Sequence, residues 1–124
     1  MSTRQYKIVR RHNTFHISSF IDGEQDRVSY ALATKQHIPH GWYLHDLFVH
    51  EDHRRQGIGK RLVRLMQRSI KEAGDSSIYL MPAGERAHEI KKMAGWYRKL
   101  GFKKTQRFAE GGWIMRWEAT KPGE

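Results

Sequence analysis

The stretch Leu-Phe-Val-His-Glu-Asp-His-Arg-Arg-Gln-Gly-Ile-Gly-Lys, residues 47–60, decides how the rest of the chain is read. It starts in an apolar, strand-like run from Trp42 to Val49. It ends in a basic segment whose apolar residues Leu62, Val63, Met66, Ile70 and Ala73 recur at helical spacing. Between the two lie glycines two residues apart, Gly57 and Gly59. A glycine loop that opens a helix offers unblocked backbone N–H groups and a positive dipole end to a phosphate. Arg54, Arg55, Lys60 and Arg61 flank that loop and add positive charge.

Two common phosphate patterns fail on these letters. A Walker A loop needs glycine at Arg54 and Ser or Thr at Arg61 to bind magnesium; a dinucleotide fingerprint needs a small residue at Leu62 for close helix packing. What remains is Arg54-x-x-Gly57-x-Gly59 behind Leu47-Phe48-Val49, which resembles the pyrophosphate loop of the GNAT superfamily of acetyl-CoA-dependent N-acetyltransferases. A second segment, Trp96-Tyr97-Arg98-Lys99-Leu100-Gly101-Phe102, is similar to that family's aromatic-Tyr-x-Lys-Leu-Gly-Phe run at the end of its last helix. Two independent motifs in the right order are far harder to obtain by accident than either alone.

The remaining pattern supplies the other elements. Tyr6 to Arg10, Phe15 to Ile21, Val28 to Ala33 and Trp42 to Val49 read as strands, with Asn13 and Asp22-Gly23 as turns and Pro39 and Gly41 breaking the chain before the fourth. A helix follows from Lys60 to Ala73 with Gly74 as its stop, then a short buried strand from Ile78 to Met81 ended by Pro82. A second helix is expected from His88 to Leu100, and two last strands, Phe102 to Phe108 and Trp113 to Trp117, around Gly111-Gly112. The fold class expected is α/β (α+β), a mixed, mostly antiparallel sheet of about seven strands with two main crossing helices. The resemblance runs from about Val28 to Trp117 and lacks the helix pair that the family places between its first two strands. That pair usually forms one wall of the acceptor site, so its absence implies an open groove suited to a large substrate.

At 124 residues the chain reads as one domain, through about residue 119, with Thr120 to Glu124 as a loose tail. No cysteine is present, which excludes disulfides and a thiol nucleophile and suits a reducing cytoplasm. The Met1 end is polar, without the apolar core of a signal peptide, and no stretch is long enough to cross a membrane. The 23 basic against 13 acidic side chains give +10, a charge that favours an anionic partner: a nucleotide cofactor, nucleic acid or an acidic protein surface. His45, His50 and His53 invite a metal, but His50-Glu51-Asp52-His53 is not the His-Glu-x-x-His helix of zinc peptidases, and none is expected.

The resemblance assigns the chemistry. Tyr97 would sit near the thioester sulfur of acetyl-CoA and protonate the departing thiolate, a task within reach of a phenol because the thiol has a pKa of about 8.5. The backbone of Leu47, Phe48 and Val49 would pair with the pantetheine arm, and the loop Arg54, Arg55, Gln56, Gly57, Ile58, Gly59 and Lys60 would surround the pyrophosphate. A lysine-like acceptor must lose a proton before attack, at a cost of about 4–5 kcal/mol at pH 7. On the fourth strand some members carry a glutamate where this chain has His45; His45 is therefore the candidate base, with Asp46 second. Where many members have an asparagine about seven residues before the tyrosine, this chain has Ile90, and the stretch from Pro82 to Gly95 is longer than usual.

The chain also resembles small bacterial and phage-borne GNAT proteins, some of which acetylate protein lysines. A net charge of +10 disfavours a polycationic small acceptor, with only Glu85, Glu89 and Glu110 near the second motif to offset it. The apolar Trp113, Ile114, Met115 and Trp117 either belong to the core or leave one face to a second subunit, and a homodimer is what the resemblance implies, since GNAT proteins often pair through their last strands. The competing reading is a non-catalytic module of the same fold that binds nucleic acid or a protein partner through its basic surface.

Overall fold

A period of two in the buried residues gives the sheet one dry face. Phe15, Ile17 and Ser19 are buried in β2 (Thr14–Ile21), and Ser29, Ala31 and Ala33 in β3 (Ser29–His37), while the residues between them are half-buried. The computed structural model describes residues 3–24, 27–37, 40–82, 87–107 and 113–119. The expectations placed on Pro39, Glu85, Phe108, Glu110, Gly111-Gly112 and the tail from Thr120 lie outside these residues.

The other strands are β1 (Arg4–Arg11), β4 (His40–Phe48), β5 (Ser77–Leu80), β6 (Lys103–Arg107) and β7 (Trp113–Glu118). All seven join one sheet in the order β1-β2-β3-β4-β5-β7-β6. Every pairing is antiparallel except β4 with β5. A parallel pair needs a crossover, and α1 (Ile58–Glu72) supplies it; α2 (Ala87–Lys99) then links β5 to β6. No helix separates β1 from β2. They meet through the turn expected at Asn13, in which His12 is left-handed, with φ 48°.

Both helices cover the dry face. Leu62, Met66 and Ile70 of α1 join Ala94 and Tyr97 of α2 in one core with Phe15, Ile17, Trp42 and Leu44. Gln67, 4% exposed, donates from Nε2 to the Leu100 carbonyl at 2.8 Å, which satisfies a carbonyl just past the end of α2 and ties the helices together. Each helix ends in a Schellman turn. In α2 the Phe102 N–H bonds the Tyr97 carbonyl at 3.2 Å and Gly101 that of Arg98 at 3.0 Å, with Gly101 at φ 95°. In α1 Asp75 bonds back to Ile70 at 3.1 Å and Gly74, φ 90°, to Lys71 at 3.0 Å, so the expected stop at Gly74 holds.

The edge strands account for part of the positive charge. Arg4, Lys7, Arg10 and Arg11 lie on β1 and Lys103 and Lys104 on β6, where lysine and arginine discourage pairing with another chain. The apolar ending is divided: Met115 is fully buried in the core, while Trp113, Ile114 and Trp117 are half-buried on a strand interior to the sheet.

Candidate active site

Between β4 and β5 the sheet opens. The two strands pair only at Trp42 with Ile78 and Tyr43 with Tyr79, after which β5 ends at Leu80 while β4 runs on to Phe48. Gly41 permits their contact: its φ is 149°, and a Cβ there would lie 3.0 Å from the Tyr79 ring and 3.2 Å from the Ser77 carbonyl oxygen. Leu47 to Val49 therefore lies past the last pair with β5. Across β3 the register slips, Leu32 facing Asp46 but Ala33 facing Leu44, which leaves His45 as the extra residue of a β-bulge.

The loop after β4 is shaped by two left-handed residues. Arg54 is extended, Arg55 has φ 65° and Gly57 has φ 77°. Left-handed residues within a turn converge successive N–H groups on one point, the geometry of an anion-binding nest. Gly57 is the N-cap of α1, which begins two residues earlier than expected because the glycine itself ends the loop. No side chain caps this helix and its first turn holds no acid; Lys60 and Arg61 stand there instead. A helix start normally carries a Ser, Thr, Asp or Asn cap and acidic neighbours. Free donors with cations beside them fit the phosphates of an anionic ligand.

Two adjoining cavities run from this loop along α2. One, of about 360 Å³, is lined by Leu47, Phe48, Val49, Arg54, Gly59, Lys92, Met93 and Trp96. The other, of about 210 Å³, is lined by Arg55, Gly57, Ile58 and Lys60 together with Val49, Arg54, Gly59 and Trp96, which border both. Of the residues expected to hold the cofactor, only Gln56 lies on neither. Arg54 is braced by a bond from Nε to the Val49 carbonyl at 3.2 Å. Trp96 and Val49 pack against the loop at Gly59, where a Cβ would meet the indole at 3.6 Å and Val49 at 3.4 Å, ordinary contact distances.

Lys92, Met93 and Trp96 were not singled out for this cavity in the sequence. Their spacing, one helical turn from Lys92 to Trp96, was the available signal, but the direction of α2 relative to the loop was not. Ile90 faces a different cavity, of about 230 Å³, with Ala87, Lys91, Ala94, Lys104 and Trp113.

The three candidate catalytic residues are not on the cavity lining. Tyr97 is 6% exposed, with its ring edge-on to Trp96 at 5.0 Å and to Phe102 at 5.6 Å. Burial pushes its hydroxyl up to about 12. His45 and Asp46 are exposed on the face of the sheet away from the helices. His45 Nε2 hydrogen-bonds Thr34 Oγ1 at 2.5 Å, and its ring meets Tyr43 edge-on at 4.6 Å. Burial also raises the Tyr43 hydroxyl. Asp46 forms no ion pair among the described residues. His50 and His53 approach to 5.8 Å, and no three metal-ligating side chains converge among the described residues.

A profile described as an acetyltransferase (GNAT) domain matches residues 17–104. No curated protein matches the chain by sequence. Solved structures do. The PaiA N-acetyltransferase of Thermoplasma acidophilum, in complex with coenzyme A, aligns with a TM-score of 0.69 at 17% identity over 86% of this chain and 62% of its own. This chain thus spans less than two-thirds of that relative. The ribosomal-protein-S18-alanine N-acetyltransferase of Escherichia coli gives 0.68 at 18% identity, over 93% of this chain and 75% of its own. The aminoglycoside 6'-N-acetyltransferase of Enterococcus faecium gives 0.65 at 23%, over 89% and 77%.

Proposed function

The chain belongs to the GNAT acetyltransferase family, and on that premise we propose that it transfers acetyl from acetyl-CoA to a primary amine, in particular a protein lysine, by direct attack. The observation that carries this reading is the joining of the uncapped, left-handed loop at Arg55 and Gly57 to a cavity lined by Leu47, Phe48 and Val49, which follow the last pair of β4 with β5. A long anionic cofactor suits that path: N–H donors and cations for its phosphates at one end, an apolar channel of Leu47, Val49, Met93 and Trp96 for its arm. Lys92 and Arg54 face the channel from opposite elements and add attraction for the phosphates.

Acetyl-CoA supplies a thioester; the chain supplies position and proton handling. As the amine nitrogen bonds to the acetyl carbon the C–S bond breaks, the nitrogen sheds a proton, and the sulfur gains negative charge. His45 is the acceptor for that proton, held in one orientation by Thr34 and Tyr43. Tyr97 serves the sulfur as a hydrogen-bond donor. With a hydroxyl near 12 against a thiol of about 8.5, complete proton transfer is uphill by about 5 kcal/mol, so the phenol stabilises the thiolate while water delivers the proton. Among the relatives, one is named for a ribosomal-protein alanine and another for an aminoglycoside, so the family leaves the acceptor open.

A second reading has one observation in its favour. Lys60, Arg61, Arg64, Arg68 and Lys71 are all exposed on α1 against a single acid, Glu72, a stripe suited to a nucleic-acid backbone. Calorimetry with acetyl-CoA, followed by turnover of a panel of amines and peptides, separates the two. Tight, salt-sensitive nucleic-acid binding without affinity for acetyl-CoA would replace the enzyme with a binding module.

A further inference from the structure

The face of the sheet away from the helices carries a row of rings that starts at the cavity. Phe48, 40% exposed and part of the cavity lining, meets Tyr30 at 5.7 Å, and Tyr30 meets His16 at 5.7 Å, so the row steps from β4 through β3 to β2. Where it ends, a second cavity of about 350 Å³ opens on β1 and β2, lined by Val9, Arg11, Thr14 and His16. The hairpin at His12-Asn13 holds these two strands together with no helix between them to cover that cavity. Charge on this face is polar in arrangement. Asp46 is exposed at the β4 end and Arg11 at the β1 end, and neither forms an ion pair among the described residues.

We propose that this face is the acceptor groove for an extended peptide whose lysine enters beside Asp46 and His45 and whose acidic side chain, a few residues away, is held by Arg11. The inference rests on the amine-transfer reading above and specifies its substrate. Three strand spacings separate β4 from β1, about 14 Å, which an extended peptide crosses in about four residues. Residues four apart in an extended chain point to the same side, so a lysine and an acid at that spacing both face the sheet. Asp46 attracts the ammonium before it is deprotonated, and the rings of Phe48 and Tyr30 offer an apolar shelf to the peptide between its charged ends. A polyamine is disfavoured, since its far cation would meet Arg11. A nucleic-acid strand is disfavoured at the other end by Asp46.

The test is steady-state acetylation of peptides that contain one acceptor lysine, with glutamate or arginine three to five residues to either side, alongside spermidine and a simple alkylamine. The acid-bearing peptide should exceed its arginine counterpart by about three- to tenfold in kcat/KM, mostly through KM. Arg11→Glu should invert that preference, with acetyl-CoA calorimetry on the same variant reporting that the fold is intact. Equal use of both peptides by the wild type, a preference that survives Arg11→Glu, or better use of spermidine than of any peptide would overturn the groove. So would a wild-type dimer that Arg11→Glu dissociates without altering peptide preference, because the face would then belong to a second copy of the chain. Acetyl-CoA binding with turnover of none of these amines would overturn the transfer reading itself.

Discussion

Trp96 and Tyr97 are consecutive on α2 and their rings meet edge-on at 5.0 Å, yet Trp96 lines the cavity while Tyr97 turns into the core against Phe102. A hydroxyl held near 12 by burial stays protonated throughout the neutral range, as a donor to a thiolate must. Tyr97→Phe is expected to lower turnover by about 10²-fold while leaving acetyl-CoA affinity nearly unchanged. Single-turnover kinetics with calorimetry on the same variant checks both halves; an undiminished rate would transfer the whole role to water.

Trp96 acts on binding rather than chemistry. Its indole closes over Gly59 and borders both cavities, so Trp96→Ala is expected to weaken acetyl-CoA binding by about tenfold or more with the fold intact. Lys92→Glu, at the same wall, should weaken it further at low salt and less at high salt, because the lost attraction is screened. Calorimetry at two ionic strengths reads this directly, and an affinity indifferent to both changes would place the cofactor elsewhere.

Arg55 and Gly57 hold the same left-handed backbone, but only one of them is suited to it. Gly57→Ala should destabilise the protein by about 1–2 kcal/mol through φ alone, since nothing lies within 4 Å of a Cβ there. Arg55→Gly should do the reverse, raising the urea midpoint slightly while acetyl-CoA affinity falls with the lost charge. Parallel unfolding and binding curves distinguish strain stored for function from an ordinary loop; a Gly57→Ala protein of unchanged stability would remove the conformational argument.

The elements that bury residues at a regular period were legible in the sequence, because side chains alone determine that period: β2, β3, α1 and α2 all lie within a few residues of where Phe15, Ala31, Leu62 and Tyr97 put them. The Tyr-x-Lys-Leu-Gly-Phe segment was legible twice over. Gly101 and Phe102 form the Schellman turn that ends α2, with Phe102 packed on Tyr97, so the motif is a helix stop as well as a candidate catalytic signature. The bulge at His45 and the left-handed Arg55 were not readable. A bulge depends on register with β3, and a strained arginine contradicts its own propensity. Lys92 and Met93 escaped for a related reason: which face of α2 meets the loop is set by contacts remote in sequence, Gln67 reaching Leu100 and Trp96 packing at Gly59.

The bulge gives His45 an orientation that a regular strand would not. His45→Gln should preserve the bond to Thr34 but remove the base, lowering kcat/KM by about 10²-fold with acetyl-CoA affinity unchanged. Thr34→Val should have a smaller effect in the same direction, by freeing the ring. An undiminished kcat/KM in His45→Gln would move the base to Asp46 or to the acceptor's own desolvation.

Asp75 is the carboxylate on which pH dependence of stability should depend. It follows the end of α1, accepts a bond from Trp42 Nε1 at 2.9 Å and lies 3.4 Å from Lys35 Nζ. The bond from Trp42, assisted by Lys35 against the opposing effect of burial, holds its carboxyl below the usual range. The unfolded chain therefore takes up this proton more readily than the folded one. The contribution is complete above the ordinary carboxylate value of about 3.9 and is lost as pH falls through the lower folded value. Asp75→Asn should accordingly cost about 1 kcal/mol at pH 7 and progressively less below about pH 4, as the wild type loses its own charge. Urea unfolding of both proteins at pH 7 and pH 3 measures the gap; since asparagine keeps the bond to Trp42 at every pH, no gap at pH 7 would mean that Asp75 contributes as a hydrogen-bond acceptor alone, and a gap as large at pH 3 would mean that it does not come from the carboxylate's charge.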